Sequence, residues 1–131
     1  MASPRSTGPA RTLVVHPPVS IARDFIDYPY FASLGAAQNA AVLRELPGVE
    51  VRLVDAYSLP GSGLAWRPDD RAHLGAPVEE VAAAAGAEEA DFVVVGYTPF
   101  HRPPHRDDVL AGLLEALRRR SRRARRRRSR S

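Results

Sequence analysis

The sequence contains no cysteine. Disulfides, cysteine-ligated zinc and a cysteine-ligated iron–sulfur cluster carried by this chain alone are therefore excluded. Lysine is also absent: all 19 basic residues are arginine. With Ala, Gly and Pro so common, this points to a GC-rich coding sequence. No apolar run approaches the roughly 20 residues that a membrane helix needs, so no membrane partner is expected. Met1 to Arg11 holds Pro, Ser and Gly but no apolar centre, unlike a secretory signal,. A cytoplasmic, soluble protein is the default expectation. The 131 residues, 44% of them hydrophobic, fit one domain with a core,.

The net charge of +4 is unevenly spread. Residues Arg118 to Ser131 read RRRSRRARRRRSRS and hold 10 of the 19 arginines, leaving nine among residues 1–117 against all 15 acids, a net of −6. An acidic body thus carries a strongly basic tail.

Along the body, strand and helix patterns alternate. Residues 1–11 read as a disordered leader. Thr12 to Val15 form a short β-branched apolar run stopped by His16-Pro17-Pro18. After an aromatic loop (Phe25, Tyr28, Tyr30, Phe31), residues 33–46 have helical spacing. Leu34, Ala37, Ala41 and Val42 lie on one face, Ser33 is the cap, and Pro47-Gly48 makes the stop. Residues 49–56 (VEVRLVDA) alternate as a second strand, and residues 57–74 read as irregular. Residues 77–90 are helical in composition. Residues 91–97 (DFVVVGY) form an apolar run of the buried parallel type. A final helix, capped by Asp107 or Asp108, places Val109, Leu110, Leu113, Leu114 and Leu117 at helical spacing.

This order predicts an α/β fold: a Rossmann-like, flavodoxin-like three-layer domain over residues 12–117, with a short parallel sheet. The runs 12–15, 49–55 and 91–97 are expected to be parallel neighbours, with helices around 34–46, 77–88 and 107–120. A fourth strand should follow the last helix, and arginine follows instead, so the domain reads as incomplete at its carboxyl end.

In open parallel sheets ligands bind beyond the carboxyl ends of the strands. Three segments fall there: His16-Pro17-Pro18-Val19-Ser20, Asp55-Ala56-Tyr57-Ser58 and Thr98-Pro99-Phe100-His101. The pieces LVVHPPVS (13–20), YPYFASLGAAQNAAVLREL (28–46), VEVRLVDA (49–56) and ADFVVVGYTPF (90–100), in this order and spacing, resemble the amino-terminal domain of cobalamin-binding radical S-adenosylmethionine proteins. They cover most of residues 12–117. The resemblance implies a domain, non-catalytic by itself, that holds a corrinoid over the open sheet edge. The contacts would be His16, Pro17, Pro18, Ser20, Asp55, Tyr57, Ser58, Thr98, Pro99, Phe100 and His101. It further implies a separate radical S-adenosylmethionine domain, the partner that would carry the iron–sulfur cluster and S-adenosylmethionine. That domain's Cys-x-x-x-Cys-x-x-Cys motif is absent here. So is the Asp-x-His-x-x-Gly signature by which many cobalamin domains ligate cobalt, so cobalamin is expected without a histidine ligand.

Plainer readings stand beside these. His101 and His105 cannot share a helix face across Pro103-Pro104, so no metal site is expected. Pro17-Pro18 could simply end a strand. Gly61-Ser62-Gly63 lacks the strand–turn–helix setting of a phosphate loop and reads as flexible. His16, Ser20 and Asp24 are triad residue types without triad evidence. Trp66 and the Tyr28–Phe31 cluster read as packing, and Glu79, Glu80, Glu88 and Glu89 as a solvated face. The tail has three readings: an arm for nonspecific nucleic-acid binding, an Arg/Ser-type interaction segment, or a frame change in GC-rich DNA. The alternative function is accordingly a small Arg-tailed α/β protein that binds nucleic acid. A third is a flavodoxin-like module for another nucleotide-type cofactor. The tail is expected to stay helical for a turn or two past Leu117 and then fray.

Overall fold

The computed structural model describes residues 8–22, 34–96 and 108–130. It is a mixed α/β structure with a three-stranded parallel sheet and three helices, compatible with a Rossmann-like fold. Strands β1 (Ala10–His16), β3 (Val49–Asp55) and β6 (Phe92–Val95) form the parallel sheet in the order β3-β1-β6. The three apolar runs are thus parallel neighbours, as their pattern predicts. Helices α1 (Leu34–Arg44), α2 (Val78–Ala85) and α3 (Asp108–Arg128) occupy the expected segments, and a 3₁₀ turn, Ala87–Glu89, follows α2.

The central strand explains the layering. Alternate side chains of a strand point to opposite faces. Leu13 and Val15 pack with Val81, Ala82 and Ala85 of α2 and with Leu113, Ala116 and Leu117 of α3. Val14, on the other face, packs with Ala36 and Ala40 of α1. The two crossovers from β1 to β3 and from β3 to β6 therefore carry their helices on opposite faces.

Several expectations need correction. Strand β1 begins at Ala10, so the last two residues of the expected leader belong to the sheet; residues 1–7 lie outside the described residues. The segments 19–22 and 57–74 are not all loop. Strands β2 (Val19–Ala22), β4 (Leu64–Trp66) and β5 (Arg71–Leu74) make a second, antiparallel sheet in the order β2-β5-β4. It closes over its own small apolar cluster of Val19, Ile21, Ala72 and Leu74.

The buried stripe of α1 is Ala36, Ala40 and Leu43, while Leu34 and Val42 stay 69% and 61% exposed. Alanines let the helix approach Val14 closely. In an Ala-rich helix the large apolar residues do not mark the buried face. The last parallel strand is also shorter than expected. Phe92 is 62% exposed, because α1 packs over β1 and β3 and leaves that part of β6 uncovered.

The largest difference concerns the tail, which stays helical through Arg128. Arginine favours helix, and the packed segment from Val109 to Leu117 has already met the nucleation cost. Cations at a helix carboxyl end also suit its dipole. Together these outweigh like-charge repulsion of a few tenths of a kcal/mol per pair. The cap residue Ser33 and the aromatic cluster at 25–31 lie outside the described residues.

Candidate functional site

The parallel strands end together, β1 at His16 and β3 at Asp55, which are register partners. His16 Nδ1 lies 3.0 Å from Asp55 Oδ1. A carboxylate only accepts, so this nitrogen carries the hydrogen and donates. The same carboxylate accepts from the Tyr57 backbone N–H at 2.9 Å and from the Ser58 hydroxyl at 3.0 Å. This turn chemistry explains why an Asp ends the strand. His16 is only 3% exposed, and its ring meets Tyr57 edge-on, with centroids 4.6 Å apart. Burial first, and then the charge of Asp55, push the Tyr57 hydroxyl well above its ordinary value,.

Of the expected cofactor contacts, His16, Asp55, Tyr57 and Ser58 come together. Pro17, Pro18 and Ser20 are next to them but fully buried. The second sheet, which includes Ser20, covers Pro18, while Pro17 lies beside Gly96 at the end of β6. Gly75, at φ +104°, brings the end of β5 against Pro18 and Tyr57, and a Cβ there would meet both at 3.1 Å,. Ser20 is bonded inward: its hydroxyl accepts from Arg71 Nε at 2.6 Å, and its carbonyl accepts from the same guanidinium at 2.7 Å. Thr98, Pro99, Phe100 and His101 lie outside the described residues, as does His105.

Composition alone did not single out Arg67. Its guanidinium forks onto Asp108, the first residue of α3, at 3.0 and 2.8 Å, and also reaches Asp69 at 2.7 Å. The Arg67 hydrogen bond, opposed by some burial, holds the Asp108 carboxyl below its ordinary range. The alternation in Arg71-Ala72-His73-Leu74 was the available signal for this second sheet. His73 is structural, donating from Nε2 to the Ala76 carbonyl at 2.9 Å.

A different site lies beyond the amino ends of the strands. Helix α3 runs antiparallel to the sheet, and its arginine half passes the 3₁₀ turn, leaving an open cleft of about 640 Å³. Arg119, Arg120, Arg123, Arg127 and Arg128 line one side, and Glu79, Glu88 and Glu89 the other. Arg119 reaches Glu79 at 3.5 Å, an exposed pair worth little,. Arg120, Arg123 and Arg128 have no carboxylate partner among the described residues.

The four glutamates are not one solvated face. Glu80 accepts from Gly61 N–H at 2.9 Å, which ties down the segment read as flexible. Glu88 is half-buried, and its Oε2 is occluded with no hydrogen-bond partner. Among the described residues no group of three or more His, Cys, Asp or Glu is placed to hold a metal, and no helix is long and apolar enough to cross a membrane.

Comparison with family models, with curated proteins and with solved structures returns no match for this chain.

Proposed function

We propose that this chain is a cobalamin-binding-like domain of the type attached to radical S-adenosylmethionine enzymes, Rossmann-like and flavodoxin-like in architecture and non-catalytic by itself. One observation carries the reading. The order β3-β1-β6, with helices of successive crossovers on opposite faces, creates a switch point at the carboxyl ends of β1 and β6. Open α/β sheets bind ligands at such points. The cluster of His16, Asp55, Tyr57 and Ser58 stands beside it.

The described residues fit a corrinoid in a limited way. Tyr57 and Asp55 are half-buried and Ser58 is exposed, so these three can meet a flat ligand. Pro17, Pro18 and Ser20 would shape the floor from beneath. His16 is enclosed, so the corrinoid would be held without a histidine on cobalt. A bound corrinoid supplies group-transfer chemistry at its metal, and this chain supplies only the surface that orients it. The iron–sulfur cluster and S-adenosylmethionine belong to a separate domain.

Absorbance titration of the full chain with hydroxocobalamin tests the reading. The expected result is a saturable spectral shift with a dissociation constant between about 0.1 and 1 mM, weakened several-fold in Tyr57→Ala. No shift at millimolar cobalamin would overturn it.

A second reading, nonspecific nucleic-acid binding, is favoured by the unbroken helix through Arg128. Its arginines neutralise phosphates and release counterions, so affinity should fall steeply with salt. If the body takes no part, the isolated 118–131 peptide will bind as tightly as the whole chain. A body-dependent, salt-resistant affinity would instead favour a selected nucleic-acid protein over the corrinoid domain.

A further inference from the structure

The cleft beside α3 pairs two opposite needs. Among the described residues, Arg120, Arg123 and Arg128 line it without a carboxylate partner, and Glu88 carries an occluded oxygen without a donor. A carboxylate oxygen shut away from donors is costly, because desolvation is not offset by a bond. The cleft, about 640 Å³, lies within the size range of small-molecule sites,. A suitable ligand must therefore bring phosphate to the arginines and hydrogen-bond donors to Glu88.

We propose that this cleft binds a guanosine phosphate, with phosphates on the arginines and the guanine edge on Glu88. The choice of base follows from chemistry. A carboxylate only accepts hydrogen bonds. Guanine offers two adjacent donors, N1–H and the N2 amino group, which match the two oxygens of one carboxylate. The Watson–Crick edges of adenine and cytosine set an acceptor beside their donor, which a carboxylate repels. Arginine forks suit phosphate oxygens, and their planar faces also stack on bases. Glu88 lines the cleft, but its Oε2 is enclosed, so meeting the guanine edge with both oxygens requires the side chain to rotate into the cleft. The site is independent of the corrinoid reading, since it lies at the opposite end of the sheet. It is also more selective than charge-driven attraction along α3, which needs neither a cleft nor Glu88.

Isothermal titration of the full chain with GDP, ADP and inorganic pyrophosphate, at about 0.15 M salt, tests the assignment. GDP should bind about tenfold tighter than ADP, the discrimination typical of one bidentate base contact. Glu88→Leu removes a half-buried carboxylate with an unpartnered oxygen and should fold. It should erase the preference, weakening GDP while pyrophosphate binds as well or better. Arg123→Ala should weaken GDP and pyrophosphate about tenfold, whereas Arg122→Ala, outside the cleft, should change either less than twofold. Short single strands containing G, compared with all-A strands, show whether the guanosine phosphate comes free or within nucleic acid: a G preference only in the strands assigns the latter source. Equal affinity for GDP and ADP with no G preference in strands, or tighter GDP binding in Glu88→Leu, would overturn the proposal, as would equal effects of the Arg122 and Arg123 changes.

Discussion

At the carboxyl ends of β1 and β3, polar side chains are satisfied, with His16 enclosed and Asp55 half-buried. His16, Tyr57 N–H and Ser58 all give hydrogens to one carboxylate, that of Asp55. Ser20 beneath them is gripped by Arg71. Beyond the amino ends, the charged groups of α3 and the 3₁₀ turn face each other across an open cleft, with a weak exposed ion pair between Arg119 and Glu79. The first region reaches into the fold's interior through His16 and Ser20, so its polar residues serve stability as well as any ligand. The second is a surface on which Arg120, Arg123 and Arg128 have no carboxylate partner among the described residues. Polar groups enclosed by packing are expensive to remove, whereas exposed charges are cheap to remove and matter mainly to what they bind.

The two ends share one core. Leu113 is fully buried between α2 and the sheet. Leu113→Ala should cost about 3 kcal/mol by denaturant unfolding, the usual range for a buried leucine. It should disorder both regions together, and a loss confined to the arginine half would show that α3 is not the common support.

His16→Ala probes the enclosed end. It deletes a buried ring and takes a donor from Asp55, and should cost about 2 kcal/mol. A change under about 0.5 kcal/mol would mean that the cluster is peripheral to stability.

Alkali tests the same cluster through Tyr57. Its hydroxyl is held neutral above the ordinary value of 10.0, first by burial and then by Asp55. Below that pH, folded and unfolded chains both keep the proton. Above it only the unfolded chain releases it, so stability falls as pH rises. Tyr57→Phe should flatten this alkaline decline, and unchanged curvature in the melting temperature against pH would contradict the assignment.

Acid tests the join between α3 and the second sheet. The Asp108 carboxyl lies below its ordinary value of 3.8 because of its Arg67 hydrogen bond. Its stabilisation is present above that value and is lost as pH falls through the lowered one. The Asp108 side chain is 62% exposed, so Asp108→Asn should cost less than about 1 kcal/mol at neutral pH. The variant should lose less stability than the parent between pH 4 and 2; parallel acid curves would rule the pair out as a stabilising contact.

The smallest effect is expected from removing residues 118–131. The Arg119–Glu79 pair it removes is exposed, so the stability measured by denaturant unfolding should fall by less than about 1 kcal/mol. A large loss would place the arginine helix within the fold's support, and the contrast between the two ends would fail.

Much of the parallel sheet was legible because hydrophobic periodicity reports it directly. The run Leu13-Val14-Val15 and the alternation over 49–55 need no partner to be recognised. The antiparallel sheet was not. Four-residue strands between Gly and Pro turns carry little periodic signal, and Val19–Ala22 follows two prolines that look like a stop. At the candidate site, the adjacency of His16 and Asp55 could be anticipated, because both close neighbouring parallel strands. The burial of Pro18 and Ser20 could not, since it depends on a strand formed about 50 residues later. Arg67 and Glu88 are single charged residues in charge-rich segments, and nothing local separates them from solvated neighbours.

By itself, then, the sequence determined the alternation of strands and helices, the parallel sheet, the acidic body and the basic end. These follow from local periodicity and composition, which act over a few residues. Tertiary structure alone decided which face α1 buries, that the small sheet encloses the first strand's exit, and that five arginines stand across a cleft from Glu88. Those outcomes depend on contacts between distant segments, whose energies are set by how closely backbones approach and which polar groups water can still reach.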